Sequence, residues 1–373
     1  MIPVNEPLLN GNEKKYLVEC IDSGWISSEG PFVKKFEEMA SCYVGLKHGI
    51  AVCNGTAALE VAVSAIDLKP GEEVIMPTFT IISCALAVLR RGGIPVLIDV
   101  EPDTWCMNIN QVKDKITSKT KAIMPVHMYG HPVNMDPIME LAEKHKLYVI
   151  EDAAEAHGAE YKGRKCGSMG HINCFSFYAN KIITTGEGGM VVTNDDKLAE
   201  RARLHRNLCF KEGRRFYHEE LGGNSRMTNL QAAVGVAQME RIDEFVEIKR
   251  RNGIMYNGRL ADVDCLQIPV EKEWAKNVFW MYGVVIDEST GVDAERFATD
   301  LKDNGIVTRP FFLGMHEQPV FHKMGLFREE SYPISERIAK QGLYLPSGLT
   351  LTESQIDKVI GKVKDIIKTY AGS

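Results

Sequence analysis

From about residue 45 to residue 195, short apolar runs alternate with stretches whose apolar residues recur every three or four positions, and few folds accommodate that alternation. A run that is apolar on both of its faces is a strand covered on both sides, as in a mostly parallel sheet sandwiched between helices. Such strands are expected at His48–Cys53, Glu73–Pro77, Ile94–Val100, Ala122–Val126, Leu147–Glu151, Cys174–Phe177 and Gly189–Thr193. Amphipathic helices are expected at Ala57–Ala65, Ile81–Arg90 and Pro137–Lys144, each ending near Gly, Lys or Arg. Residues 228–260 read as one long helix whose first part carries Leu230, Ala233, Val234 and Ala237 at helical spacing. Its later part grows more charged, as a hinge leaving the core would. Beyond it, Cys265–Pro269, Val278–Ile286 and Gly305–Arg309 read as short strands, and Ala294–Asp303 and Glu353–Tyr370 as helices of a smaller α+β body.

The chain has 373 residues, more than one domain usually holds, so two are expected: residues 1–240, N-terminal arm included, and residues 241–373. With 44 Lys+Arg against 50 Asp+Glu the net charge is −6, and no basic segment interleaved with aromatics is present to bind nucleic acid. The opening Met-Ile-Pro-Val-Asn-Glu-Pro lacks a basic stretch followed by an apolar one, and no apolar run approaches the ~18 residues of a membrane span. A cytoplasmic protein is therefore expected. The nine cysteines are scattered and never spaced Cys-x-x-Cys, which reads as reduced, mostly buried thiols. His127 and His131 look like a metal pair, but no third ligand stands at a suitable spacing, so no metal is expected.

Three segments carry chemistry. Val52-Cys53-Asn54-Gly55-Thr56-Ala57-Ala58-Leu59 places a small turn between a strand and a helix, so backbone N–H groups and the positive helix end face one point. A plain strand-to-helix connection capped by Thr reads equally well. In Val149-Ile150-Glu151-Asp152-Ala153-Ala154-Glu155 an apolar strand runs into carboxylates at its carboxyl end, the edge where open α/β sheets bind ligands. Asp152, directly after the strand, suits a buried partner for a positive ring nitrogen; Glu155 lies one helical turn on, and either carboxylate alternatively offsets a helix dipole. In Cys174-Phe175-Ser176-Phe177-Tyr178-Ala179-Asn180-Lys181, followed by Ile182-Ile183-Thr184-Thr185-Gly186-Glu187-Gly188-Gly189, a strand ends in a hydroxyl, then a lysine, then a glycine-rich return. An amine among apolar neighbours loses basicity, becomes nucleophilic and forms a Schiff base with an aldehyde; an isolated lysine in a loop would simply be a surface residue.

Together these segments offer an anion-binding helix start, a pyridinium partner and an aldehyde anchor, the requirements of pyridoxal 5′-phosphate. With these segments, and with Gly24-Trp25-Ile26-Ser27-Ser28-Glu29-Gly30-Pro31, Pro125-Val126-His127-Met128-Tyr129-Gly130 and Gly223-Asn224-Ser225-Arg226-Met227-Thr228-Asn229, the sequence resembles the DegT/DnrJ/EryC1/StrS sugar aminotransferases over nearly its whole length. The resemblance implies the α/β fold of type I pyridoxal phosphate enzymes: a large domain with a mostly parallel mixed sheet and a smaller α+β C-terminal domain.

It also implies roles. Lys181 would anchor the cofactor and shuttle the proton, and Asp152 would pair with the ring nitrogen. Gly55, Thr56 and Ser176 would bind the phosphate, Phe79 would stack on the ring, and Asn224 would reach the phosphate from the other subunit of a homodimer with composite sites. Glu155 would stand beside the ring hydroxyl where many relatives have Gln, a departure associated with the branch of the family that forms perosamine. Trp25, Phe311, Phe312 and His316 would line the sugar pocket, though packing accounts for each equally well.

The reaction so implied takes the amino group of L-glutamate to C4 of a nucleotide-linked 4-keto-6-deoxyhexose, GDP-4-keto-6-deoxy-D-mannose being favoured, for surface polysaccharide synthesis of the O-antigen and lipopolysaccharide kind. A dTDP- or UDP-linked keto-sugar is the alternative acceptor. A sugar dehydratase of the same fold is a rival, disfavoured because its relatives commonly replace the lysine by His. A cofactor-binding regulator without turnover is another, disfavoured because no basic helix-turn-helix extension is present.

Overall fold

The computed structural model of the chain describes residues 1–210, 213–214 and 216–371. Its main sheet has seven strands in the order His48–Val52, Gly189–Thr193, Ile172–Ser176, Tyr148–Asp152, Thr120–Ile123, Glu73–Pro77, Ile94–Ile98. Gly189–Thr193 runs against its two neighbours, and the other six strands are mutually parallel. Ile172–Ser176 and Gly189–Thr193 are buried at every position, which is why their sequences read as continuous apolar runs rather than alternating ones. The carboxyl ends of His48–Val52, Glu73–Pro77, Tyr148–Asp152 and Ile172–Ser176 therefore share one edge, and each leads into a segment that lines a single cavity.

Helix Asn229–Met239 packs against two helices near the N-terminus, Glu13–Ser23 and Pro31–Val44, and the second of these also packs on strands His48–Val52 and Gly189–Thr193. The sequence signals for the second of these are Pro31 at the first helical turn and Gly45 in the left-handed conformation after its last residue. Gly235 permits the close crossing, since a Cβ there would lie 2.7 Å from the Phe36 ring.

The expected single helix over 228–260 is two, Asn229–Met239 and Ile242–Leu260. Val236, Met239, Ile242, Phe245 and Val246 stay buried at three- and four-residue spacing straight across the junction, so apolar periodicity hides the break. Thr228 and Gln231 form a capping box that fixes the start of the first helix. The expected helix Ile81–Arg90 is the shorter Ser83–Leu89, because Thr80 and Ile81 remain outside it on the cavity wall.

A four-stranded antiparallel sheet, Leu266–Gln267, Tyr282–Ile286, Gly342–Leu345 and Arg309–Pro310, forms the second body with helices Ala294–Asp303 and Glu353–Ala371. Its apolar cluster includes Phe297, Leu301, Ile306, Val359 and Val363, and Ile2 from the chain start inserts into it. All nine cysteines are free, and six of them are buried. Among the described residues, no helix is long and apolar enough to cross a membrane.

Candidate active site

A cavity of about 420 Å³ opens at the shared strand edge. Its first wall is the start of helix Gly55–Ala65. Asn54 caps this helix, its side chain accepting from the Ala57 N–H at 2.8 Å while its carbonyl takes the Ala58 N–H. The Gly55 and Thr56 amides are left without partners among the described residues, at the positive end of the helix. Gly55 has to be glycine here, because a Cβ would stand 2.6 Å from the Ser176 Cβ. The Thr56 hydroxyl lies 2.8 Å from that of Ser83.

Opposite stands Asp152, the last residue of its strand and buried. It accepts from the Ala154 N–H at 3.0 Å and from the Cys84 thiol at 3.3 Å, but forms no ion pair among the described residues. Burial pushes its pKa up, against the lowering effect of these two hydrogen bonds and of the Lys181 charge.

Lys181 follows strand Ile172–Ser176 on a short excursion closed by hydrogen bonds from Thr185 N–H to the Phe177 carbonyl at 2.9 Å and from Phe177 N–H to the Gly188 carbonyl at 2.8 Å. Its Nζ lies 3.7 Å above the centroid of the Trp280 ring and 3.7 Å from Glu155 Oε1. Burial lowers the pKa of this amine, against the opposing pull of Glu155 and Asp152. The second Glu155 oxygen accepts from the Tyr129 N–H at 2.9 Å. Tyr129 has a left-handed backbone, with φ of 50°, and this turns its amide toward the carboxylate. Desolvation pushes Glu155 up to about 7, and burial together with Glu155 pushes the phenol of Tyr344, on the same wall, up to about 12.

Seven residues expected at the site thus line one cavity: Gly55, Thr56, Asp152, Glu155, Ser176, Lys181 and Phe312. Five do not line it. Phe79 is fully buried, its ring 5.6 Å from that of Phe311 and 6.1 Å from that of Tyr129. From the same segment Ile81 is the apolar side chain on the cavity wall. Phe311 belongs to the same aromatic cluster, whereas Phe312 reaches the wall. His316 is buried against Thr78, with Nδ1 2.8 Å from the Thr78 hydroxyl, and pairs with Glu336 at 3.1 Å. Trp25 is half exposed and lies off the cavity, its carbonyl accepting from Asn229 at 2.7 Å. Asn224 is exposed and accepts from Arg226, in a segment held beside the cavity by the Cys53 N–H bond to the Ser225 carbonyl.

Sequence reasoning missed Trp280 and Tyr344, which come from the distant second body. It also missed a buried trio, His127, Glu151 and Cys166, whose ligand-type atoms lie within 4.8 Å of one another. Both His127 nitrogens are in use, Nε2 toward Glu151 at 2.7 Å and Nδ1 accepting from the Val133 N–H at 2.9 Å. Glu151 also accepts the amides of Gly167, Met169 and Gly170, so His127 and Glu151 form a hydrogen-bonded hub beside the Cys166 thiol. His131 is separately engaged with the Pro132 carbonyl at 2.7 Å.

The cavity fits a phosphate-bearing, ring-nitrogen aldehyde: free amides where a glycine is sterically required, a buried carboxylate in no ion pair among the described residues, and a lysine of lowered basicity. The sequence profile of the DegT/DnrJ/EryC1/StrS aminotransferase family matches residues 7–364. The GDP-perosamine synthase of Caulobacter vibrioides is 44% identical over 367 residues, covering 98% of each chain. That of Escherichia coli O157:H7 is 40% identical over 95% of each chain. The aminotransferase TlmJ from Streptoalloteichus hindustanus superposes with a TM-score of 0.92 at 30% identity over the full length of both chains.

Proposed function

The chain belongs to the DegT/DnrJ/EryC1/StrS aminotransferase family, and on that premise we propose that it moves the amino group of L-glutamate to C4 of GDP-4-keto-6-deoxy-D-mannose, giving GDP-perosamine. The enzyme is a pyridoxal 5′-phosphate-dependent sugar aminotransferase. The observation that carries the reading is the placement of Lys181, buried against Trp280 and facing a cavity that also holds Asp152 and the free Gly55 and Thr56 amides. Similarity to two GDP-perosamine synthases at 40% identity or more supports the GDP-linked acceptor.

When bound, the cofactor supplies an aldehyde for the lysine and a ring that withdraws electrons from the carbon bearing the amine. In our reading Gly55, Thr56 and Ser176 hold its phosphate through two amides, a hydroxyl and the helix end. Asp152 would keep a proton on the ring nitrogen, and Ile81 would supply an apolar contact for the ring. Lys181 Nζ would take the proton from the α-carbon of glutamate, water would release the carbon skeleton as 2-oxoglutarate while the amino group stays with the cofactor, and Nζ would later deliver a proton to sugar C4 as that amino group becomes bonded there. Glu155, 3.7 Å away, stabilises the charged form of Lys181 and accepts its excess proton. Trp280, Phe312 and Tyr344 enclose the amine and exclude water.

The same reading assigns residues 1–240 to the cofactor-binding domain and 241–373 to the small domain. It makes the active form a cytoplasmic homodimer in which Asn224 reaches the neighbouring site, and directs the product to O-antigen or related surface polysaccharide. Incubating the enzyme with glutamate and a panel of GDP-, dTDP- and UDP-linked keto-sugars, read by mass spectrometry, tests it. An aminated GDP-sugar is expected, and amination confined to the dTDP or UDP sugars contradicts the acceptor.

A further inference from the structure

Lys249, on helix Ile242–Leu260, is 1% exposed yet forms no ion pair among the described residues. Its ammonium donates instead to the Trp280 carbonyl at 2.8 Å and the Ser347 carbonyl at 2.5 Å, and reaches Asn5 Oδ1 at 3.4 Å. Three protons thus meet three neutral acceptors. These acceptors come from three stretches far apart in sequence: the N-terminal arm, the approach to strand Tyr282–Ile286, and the turn after strand Gly342–Leu345.

Burying a cation without a counter-charge is costly, and an apolar residue of similar length would fill the space at lower cost. Desolvation alone drives this amine down to about 7. Packing therefore does not explain a lysine here, whereas fixing the geometry of its acceptors does. One of those acceptors belongs to Trp280, whose ring carries Lys181 Nζ 3.7 Å above its centroid and whose indole N–H donates to the Asn180 carbonyl at 2.8 Å. Trp280 is thus gripped at its backbone by Lys249 and at its ring by the residue before Lys181.

We propose that Lys249 is a positioning residue for the reaction: it clamps Trp280, and through Trp280 the Lys181 amine, to the N-terminal arm and the small sheet. It touches neither cofactor nor substrate. The inference rests on Lys181 being the reactive amine, and a misplaced reacting group costs about ten- to a hundredfold in rate.

The test uses the holoenzyme labelled with 5-fluorotryptophan, whose Trp280 fluorine signal is assigned with Trp280→Phe. Lys249→Met is expected to shift or broaden the Trp280 signal while those of Trp25, Trp105 and Trp274 stay in place, and to lower kcat about ten- to a hundredfold with KM for glutamate little changed. In the Trp280→Phe background, Lys249→Met should lower kcat far less. If Lys249→Met does not fold, Asn5→Ala, which removes one acceptor, should move the same signal alone and more weakly. An unmoved Trp280 signal, movement of all four signals together, or an undiminished effect in the Trp280→Phe background overturns the proposal. Absence of cofactor on Lys181 would instead defeat the aminotransferase reading and leave the response of the Trp280 signal untouched.

Discussion

Lys181 Nζ and Glu155 Oε1 lie 3.7 Å apart in a wall where each side chain is at least nine-tenths enclosed. Burial lowers the pKa of the amine and raises that of the carboxyl to about 7, so the gap between the two is narrower than for the free groups. Lys181→Ala should cut turnover by at least about a thousandfold. Borohydride treatment of the wild-type holoenzyme followed by peptide mass spectrometry should find the reduced cofactor on the peptide bearing Lys181. Recovery of the cofactor on another lysine would remove Lys181 from its role.

Glu155 also makes stability depend on pH. In the cofactor-free protein its pKa is raised from 4.5 to about 7, so between these values the folded chain keeps a proton that the unfolded chain has released. Stability from this group is therefore greatest at the acid end and falls as pH rises through about 7, by at most about 3 kcal/mol. Glu155→Gln keeps the shape and should flatten that slope in denaturant titrations across the interval. An unchanged slope would mean that the carboxyl is ionised throughout.

The contact between Gly55 and Ser176 gives a steric prediction. Gly55→Ala forces a methyl to 2.6 Å from the Ser176 Cβ and should destabilise the protein by about 1–3 kcal/mol while weakening cofactor binding at least about tenfold. Gly55→Ala combined with Ser176→Gly should recover stability but not cofactor affinity, because the hydroxyl is gone. Thermal unfolding and fluorescence titration separate the two effects.

Much of this was legible in the sequence because parallel strands buried on both faces leave continuous apolar runs. Their carboxyl ends then locate Asp152, Ser176 and the Asn54–Thr56 turn without further information. Local pattern does not reveal which way a side chain turns in an irregular segment. Phe79 and Ile81 are both apolar, and only the aromatic cluster of Tyr129, Phe311 and Phe312 decides that Phe79 points inward. Trp280 and Tyr344 lie about a hundred or more residues beyond Lys181, and nothing near them in sequence signals that the small sheet closes over the amine.

Composite sites have their own signature. If Asn224 serves the neighbouring subunit, mixing inactive Lys181→Ala with an impaired Asn224→Ala protein should regenerate activity, because a mixed dimer places both lesions in one site and leaves the other intact. Activity no higher than that of the separate variants, or active monomers in sedimentation at assay concentration, would contradict the dimer.

Transfer of glutamate nitrogen to a GDP-linked sugar is measured most directly with nitrogen-15 L-glutamate and equal amounts of GDP-4-keto-6-deoxy-D-mannose and its dTDP-linked counterpart. A pocket that encloses a guanine edge leaves buried polar groups unpaired against a pyrimidine, a discrimination on the order of 10⁴. The account predicts nitrogen-15 bonded to C4 of the GDP sugar, with the dTDP sugar essentially unlabelled. Equal labelling of both, or label confined to the dTDP sugar, would contradict it.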